Sequence, residues 1–393
     1  AEAVQMVESA PLAPIARRTR RPSFRRWMLP AAAAAVMVAV LAVVAVFRPA
    51  ATELPPQEPP TTMESPPPAT TAESTPPPAE RAKPDLPSGL TTTSPTLRAT
   101  LRGHDRAVTA VAFSPDGATL ASAGNDKTVR LWRVADGKLL WSRQNHTREV
   151  NDVDFSPDGK HIASAGDDGL VRICSAATGE VEATLDGHGR PVRAVAFSPD
   201  GATLATGGHD RIVRLWRAAD ASPAGELPGH GDSVMAMAYS PTADILASGS
   251  LDRSVKIWNV RSGELLRTLQ GAAGEILSVA FSPDGLLLAA AGDGNKIDVW
   301  NAQNGQPRQT LPSHATKLRA VVFAPDATRL ASAADRGDPI RIWSLADGRI
   351  LARFYGHTDA VGALDFSPDG AILASGGYDA TVRLWDAQAQ RSP

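Results

Sequence analysis

The chain has 393 residues, 43% of them hydrophobic and 21% charged, with 40 Lys and Arg against 42 Asp and Glu. A net charge of -2 excludes a whole-molecule pull toward nucleic acid, and the single cysteine, Cys174, excludes an internal disulfide framework or a multi-cysteine metal site. Arginine outnumbers lysine and alanine is abundant, a composition expected of a GC-rich bacterial genome.

Residues 1–26 are basic, carrying Arg17, Arg18, Arg20, Arg21, Arg25 and Arg26. Ala31 to Phe47 hold no charged group, and extension back to Trp27 gives 21 residues, enough to cross a hydrocarbon core of about 30 Å as one helix. Arginines before the run and only Arg48 just after it predict an N-terminus in the cytoplasm and everything beyond residue 47 outside it. A cleaved signal peptide is the alternative, but its apolar region ends in small residues, where this one ends in Phe47 and Arg48; an uncleaved anchor is favoured. The first residue is Ala, which leaves room for a cytoplasmic domain upstream of the arginines.

Residues 48–95 form a Pro/Thr-rich linker; counted through Thr96, it has 14 prolines in 49 residues. Such a tract has too few large apolar side chains to bury a core and is expected to be disordered, a semi-rigid extended stalk.

From about residue 96 to 387 one unit recurs seven times. Its Phe or Tyr before the turn falls at Phe113, Phe155, Phe197, Tyr239, Phe281, Phe323 and Phe366, a spacing of 42 residues five times and then 43. In the first unit AVTAVAF reads as a strand, SPDG as a type I turn, TLASAG as a second strand, GNDK as a tight turn, TVRLW as a third strand and LLWSRQ as a fourth. Four short strands per unit define a propeller blade whose sheet is expected to be apolar on both faces. The array opens with LRATLR (Leu97 to Arg102), a fourth strand without the other three, and ends on TVRLWDA (Thr381 to Ala387), a third strand without a fourth. The two ends should pair and close the ring, leaving a tail at residues 388–393.

The GH opening, FSPDG, the Asp-bearing tight turn and the closing aromatic resemble the WD40-repeat family, over roughly three quarters of the chain. The resemblance implies an all-β, seven-bladed WD40 β-propeller, here preceded by one transmembrane helix and the linker. It also implies that four side chains in a blade form a hydrogen-bonded tetrad: His104, Ser122, Asp126 and Trp132; His188, Thr206, Asp210 and Trp216; His230, Ser248, Asp252 and Trp258; and His357, Ser375, Asp379 and Trp385. Blade two keeps His146, Ser164 and Asp168 but has Cys174 for the Trp, expected to act as a small buried hydrophobe. Blade five keeps only Trp300, with Ala272, Ala290 and Gly294 at the polar positions. Blade six has His314, Ser332 and Trp343, with its Asp left open between Asp335 and Asp338. These two blades are expected to be the loosest.

A Ser, a His and an Asp suggest a nucleophilic triad, but a set repeated this often points to architecture, and no catalytic residue, metal or cofactor is expected. Binding residues are sought where the scaffold does not need them. The tight turns offer Asn125, Asp167, His209, Leu251, Asp293, Arg336 and Tyr378; the loops after each His offer Arg106, Arg148, Glu149, Arg190, Asp232, Glu275, Lys317 and Asp359. This mixed-charge face suits a protein or peptide partner and has no basic stripe for nucleic acid.

The expectation is a non-enzymatic interaction or scaffold module displayed outside the cytoplasmic membrane, the sensor half of a larger signalling protein. It resembles the extracytoplasmic propeller of bacterial membrane-anchored Ser/Thr kinases, with an upstream kinase domain absent from this chain. One alternative, a small-molecule-binding or catalytic propeller, requires titratable groups converging in the central channel. The other is a structural envelope protein without a specific partner.

Overall fold

The computed structural model describes residues 96–269, 274–312, 314 and 316–388. The expected cytoplasmic segment, membrane helix and linker, and the tail from residue 389, lie outside these residues. Among the described residues no helix is long and apolar enough to cross a membrane.

Seven four-stranded antiparallel sheets succeed one another along the chain. Blade one runs Val108–Phe113, Thr119–Gly124, Val129–Arg133 and Leu139–Arg143, from the centre outward. The next five follow the same order, and the innermost strands contact each other all the way round, Val361–Phe366 of blade seven meeting Val108–Phe113 of blade one. Blade seven takes its outer strand from the start of the array: Leu97–Arg102 pairs with Thr381–Asp386, with Leu101 opposite Val382 and Arg102 opposite Thr381. The amide of Asp386 also donates to the Thr96 carbonyl at 3.0 Å.

The SPDG turns are built as their residue types require. Gly117 N–H donates to the Ser114 carbonyl at 2.8 Å, and Gly117 takes φ +70°, where a side chain is disfavoured. Ser114 Oγ donates to Asp116 at 2.6 Å and accepts from the Thr119 amide at 3.0 Å. The Ser114 hydroxyl and the Ala118 amide hold the Asp116 carboxyl below its usual range.

Neighbouring blades interlock through the aromatic residue that precedes each turn. Ala121, Ala163, Ala205, Ala247, Ala289, Ala331 and Ala374, one on each second strand, are wholly shielded. Each shares an apolar cluster with the next blade's aromatic residue: Ala121 with Phe155, Ala163 with Phe197, Ala374 with Phe113. A large side chain on one sheet thus meets a methyl group on the next, which lets the sheets approach closely.

The expectation that each sheet is apolar on both faces holds for the three inner strands only. On outer strands Leu139, Leu140, Val181, Leu265, Leu266 and Leu351 are exposed. Sheets that radiate from one axis diverge, so the outermost strand is no longer covered by its neighbour.

Candidate functional site

In blade one the four side chains of the quartet form a single chain of hydrogen bonds. Trp132 Nε1–H donates to Ser122 Oγ at 2.8 Å, Ser122 Oγ lies 2.7 Å from His104 Nε2, and His104 Nδ1 lies 2.9 Å from Asp126. A carboxylate only accepts, so the network assigns the imidazole proton to Nδ1 and has Ser122 donate to Nε2. The His104 contact, aided by the Thr128 hydroxyl and amide, outweighs burial and holds the Asp126 carboxyl well below its usual range.

The Ser–His–Asp connectivity is that of a nucleophilic triad, but its surroundings are not. Ser122 is completely buried, and its Oγ is occupied by the indole N–H, so no substrate carbonyl has a path to it. The same geometry recurs at Thr206, Ser248 and Ser375, each joined to its own His and Trp.

The three departures from the pattern are each resolved. In blade two, His146 reaches Ser164 at 2.8 Å and Asp168 at 3.0 Å, while Cys174 is fully buried and its Sγ donates to the Ile162 carbonyl at 3.3 Å. Burial pushes the Cys174 thiol up to about 12, the state of an inert side chain. In blade six Asp338 takes the tetrad position, accepting from Thr316 Oγ1 at 3.0 Å, whereas Asp335 pairs with Arg319. His314 Nδ1 stands 3.6 Å from Asp338, beyond the 2.8–3.0 Å of the other blades. In blade five, Ala290 fills the serine position and is buried; Ala272 lies outside the described residues.

A fifth member of the network went unnoticed in the sequence. A basic residue four places after the Asp reaches back to it: Arg172 to Asp168 at 2.9 Å, Arg130 to Asp126 at 3.4 Å, and Arg214 to Asp210. The signal was present as the alternation V-R-L-W, V-R-I-C, V-K-I-W, I-R-I-W. Blade five, which has Gly294 for the Asp, carries Asp298 in place of the arginine, with Lys296 at 3.2 Å. Without the tetrad carboxylate a guanidinium there would lose its partner, and both charges change together.

The turns and the loops after each His lie side by side. The amides of Asn125, Asp167, His209, Leu251, Asp293 and Tyr378 donate to the carbonyls of Ala107, Glu149, Pro191, Ser233, Glu275 and Ala360 respectively. In blade six the equivalent bond runs from Asp335 to Lys317, which corrects the register assumed above. Asp335, not Arg336, is the counterpart of Asn125; Arg336 belongs to the one-residue insertion. It bonds to Asp359 of blade seven at 2.7 Å.

All fifteen candidate face residues are exposed or half-buried. Several are tied across blade boundaries. Lys317 meets Glu275 at 3.1 Å, and Arg319 donates to Tyr378 Oη at 3.1 Å with its guanidinium 4.9 Å from the ring centre. Arg193 bridges His209 at 2.9 Å and Asn151 at 2.7 Å. Arg193 and Arg319 were not anticipated, because they sit on innermost strands that read as core.

The centre of the ring is a channel with a cavity of about 410 Å³, walled by Thr109, Asn151, Asp152, Arg193, Met235 and Arg319 among others. Asp152, Asp154 and Asp365 stand on its innermost strands. The titratable groups that the channel alternative required are therefore present. Among the described residues no three His, Cys, Asp or Glu side chains are placed to hold a metal ion.

A closed ring of seven four-stranded sheets, six of them carrying a buried His–Ser or His–Thr network, defines a seven-bladed β-propeller of repeated units. The family model described as "WD domain, G-beta repeat" (WD40) matches at residues 95–133, 137–175, 179–217, 221–259, 263–301, 305–338 and 348–386, more than half of the chain, and the chain belongs to that family. Short stretches are similar to curated proteins. "Small ribosomal subunit protein RACK1z" of Arabidopsis thaliana is 54% identical over 46 residues, 12% of this chain and 14% of that protein. "Ribosome biogenesis protein erb1" of Botryotinia fuckeliana (strain B05.10) is 51% identical over 51 residues, 13% of this chain and 7% of that protein. The chain thus spans well under two thirds of these relatives.

Proposed function

We propose that this propeller is a non-enzymatic interaction module whose binding surface is the face formed by the tight turns and the loops after each His. The observation that carries this reading is a contrast within the repeat. Seven blades share one scaffold, while the adjoining turn positions read Asn125, Asp167, His209, Leu251, Asp293, Asp335 and Tyr378, unlike in size, charge and polarity. A face held by a common scaffold and presenting five different residue types at its seven turn positions is what recognition of one asymmetric partner requires. Mixed charge and few aromatics favour a protein or peptide partner. The ribosomal name of one relative belongs to a protein matched over 46 residues and supplies a scaffold analogy only.

The test is a photo-crosslinking amino acid placed at Asp167 or Tyr378 on this face and at Lys160 beside the opposite turns. A discrete adduct at the first two positions, missing at the third, is expected. Equal adducts at all three would remove the assignment.

The arginine-rich segment and apolar run further support display outside the cytoplasmic membrane, as the sensor half of a larger signalling protein. A reporter fused after Pro393 is expected to work only if it matures outside the cytoplasm; activity of a cytoplasm-dependent reporter would reverse the orientation.

The channel is a second reading, favoured by the titratable side chains Asp152, Arg193 and Arg319 on its wall. It requires a ligand that protects residues of the channel wall, not those of the face, from hydrogen exchange.

A further inference from the structure

The second residue of each innermost strand forms a collar at the mouth of the channel, on the side of the tight turns and the loops after each His. In chain order the collar reads Thr109, Asn151, Arg193, Met235, Leu277, Arg319 and Gly362, at the spacing of the repeat. All of them wall the cavity of about 410 Å³ and all are half-buried. Successive innermost strands touch, so blades three to six present an unbroken arc: a guanidinium, two large apolar side chains and a second guanidinium. The rest of the collar is small or neutral.

Both guanidinium groups are held in place by residues of the face. Arg193 donates from Nε to His209 and from Nη1 to Asn151, with Asp167 at 3.6 Å. Arg319 donates from Nε to Asp335 and from Nη1 to Tyr378, whose ring centre is 4.9 Å away. Among the described residues these are their bonds, and each Nη2, with two N–H groups, is left uncommitted. The two side chains stay 29% and 28% exposed. A guanidinium whose rotamer is already fixed loses little freedom when it binds.

Met235 and Leu277 stand between the two arginines as half-exposed apolar surface, which gains from being covered. Leu251, the apolar turn residue of blade four, donates its amide to the carbonyl of Ser233, two residues before Met235, and carries this sector out onto the face. Asp152, the acidic residue of the cavity wall, lies outside the arc, in blade two, and accepts the Val195 amide at 2.9 Å.

We propose that this arc is the specificity pocket for the partner of the face: a peptide segment in which an apolar side chain packs between Met235 and Leu277 while carboxylates beside it accept from Arg193 and Arg319. The inference rests on the reading of the face as a binding surface and names the chemistry that the face selects.

Opposite charges attract more strongly in a mouth walled by protein than on open surface, because less water screens them. A carboxylate suits each site better than a phosphate: every arginine offers one Nη2, and Asp167 and Asp335 alongside repel a second negative charge. The unbranched Met235 adjusts its rotamer to the shape of the apolar side chain that it meets.

The test selects short randomised peptides displayed on phage against the full 393-residue chain, then measures the recovered peptides by fluorescence anisotropy at low and high salt, beside R193Q/R319Q and M235S/L277S. Peptides with an apolar residue between acidic ones are expected. R193Q/R319Q should bind them about tenfold or more weakly and flatten the salt dependence, whereas M235S/L277S should weaken binding and keep that dependence. M235S/L277S leaves the hydrogen bonds of both arginines in place and carries the test should R193Q/R319Q fail to fold. Recovered peptides without acidic residues, no shared motif at all, or affinities that either variant leaves unchanged would overturn the proposal. Crosslinked adducts at Asp167 and Tyr378 that form as before in R193Q/R319Q would remove the pocket and keep the face; their absence from the unsubstituted chain would remove the face itself.

Discussion

Ser122 shows how one side chain can be indispensable to a fold and irrelevant to chemistry. Its Oγ joins the His104 and Trp132 bonds in a fully buried position. Ser122→Ala strands both partners without water, at a cost of about 2–4 kcal/mol. Urea denaturation should show a lower midpoint with an unchanged slope. Cys174 makes the complementary point. In the four blades with a complete tetrad the residue before the His is glycine, and a Cβ on Gly187 would lie 2.9 Å from Trp216, or on Gly229 3.1 Å from Trp258. Blade two has Asn145 there, its amide donating to the Gly179 carbonyl at 3.2 Å. Loss of the indole made room for a side chain. Cys174→Trp alone is therefore expected to destabilise, and adding Asn145→Gly to recover part of the loss, a coupling of about 1 kcal/mol or more in a double-mutant cycle.

The strand Leu97–Arg102 decides whether the array is a ring or a spiral. Its side chains are mostly exposed, with only Leu101 in the core, so its contribution is the ladder that it completes on Thr381–Asp386. Deleting residues 1–102 exposes that edge and uncovers Val382 and Leu384. Light scattering should report association at concentrations where the full chain stays dispersed, and the melting midpoint should fall. Blade order, strand number and this closure were legible because propeller blades repeat at fixed spacing and each strand announces itself with turns. The Asp of blade six was not: an inserted residue breaks the spacing, and only the fold shows that Asp338 reaches the loop after His314 while Asp335 turns to Arg319.

At the scale of the whole molecule, the tetrad carboxylates tie stability to pH. Asp126, Asp168 and Asp379 are held well below their usual range chiefly by His contacts that outweigh burial, and Asp252 at about 2 by Ser254 and His230. Lowered carboxyls contribute stability that is present above the unfolded value near 4 and lost as pH falls through the folded values. His314, pushed down to about 4 chiefly by burial, acts in the same sense: its contribution is present above about 6.5 and declines on acidification. Fluorescence-monitored unfolding should therefore show stability collapsing below pH 4. A chain as stable at pH 2.5 as at pH 5 would refute the role given to the tetrads.

Period, strand count and the paired ends were determined by sequence alone, because each blade must satisfy the same packing demands as its neighbours, and the family resemblance supplied the tetrad partners of four blades. The tertiary structure decided what depends on distance around the ring. It brought Arg319 to Tyr378, set Asp154 where its charge acts on Asp365, and left the outer strands uncovered. Closure places side chains from opposite ends of the chain around one channel, and no local pattern records which of them will meet.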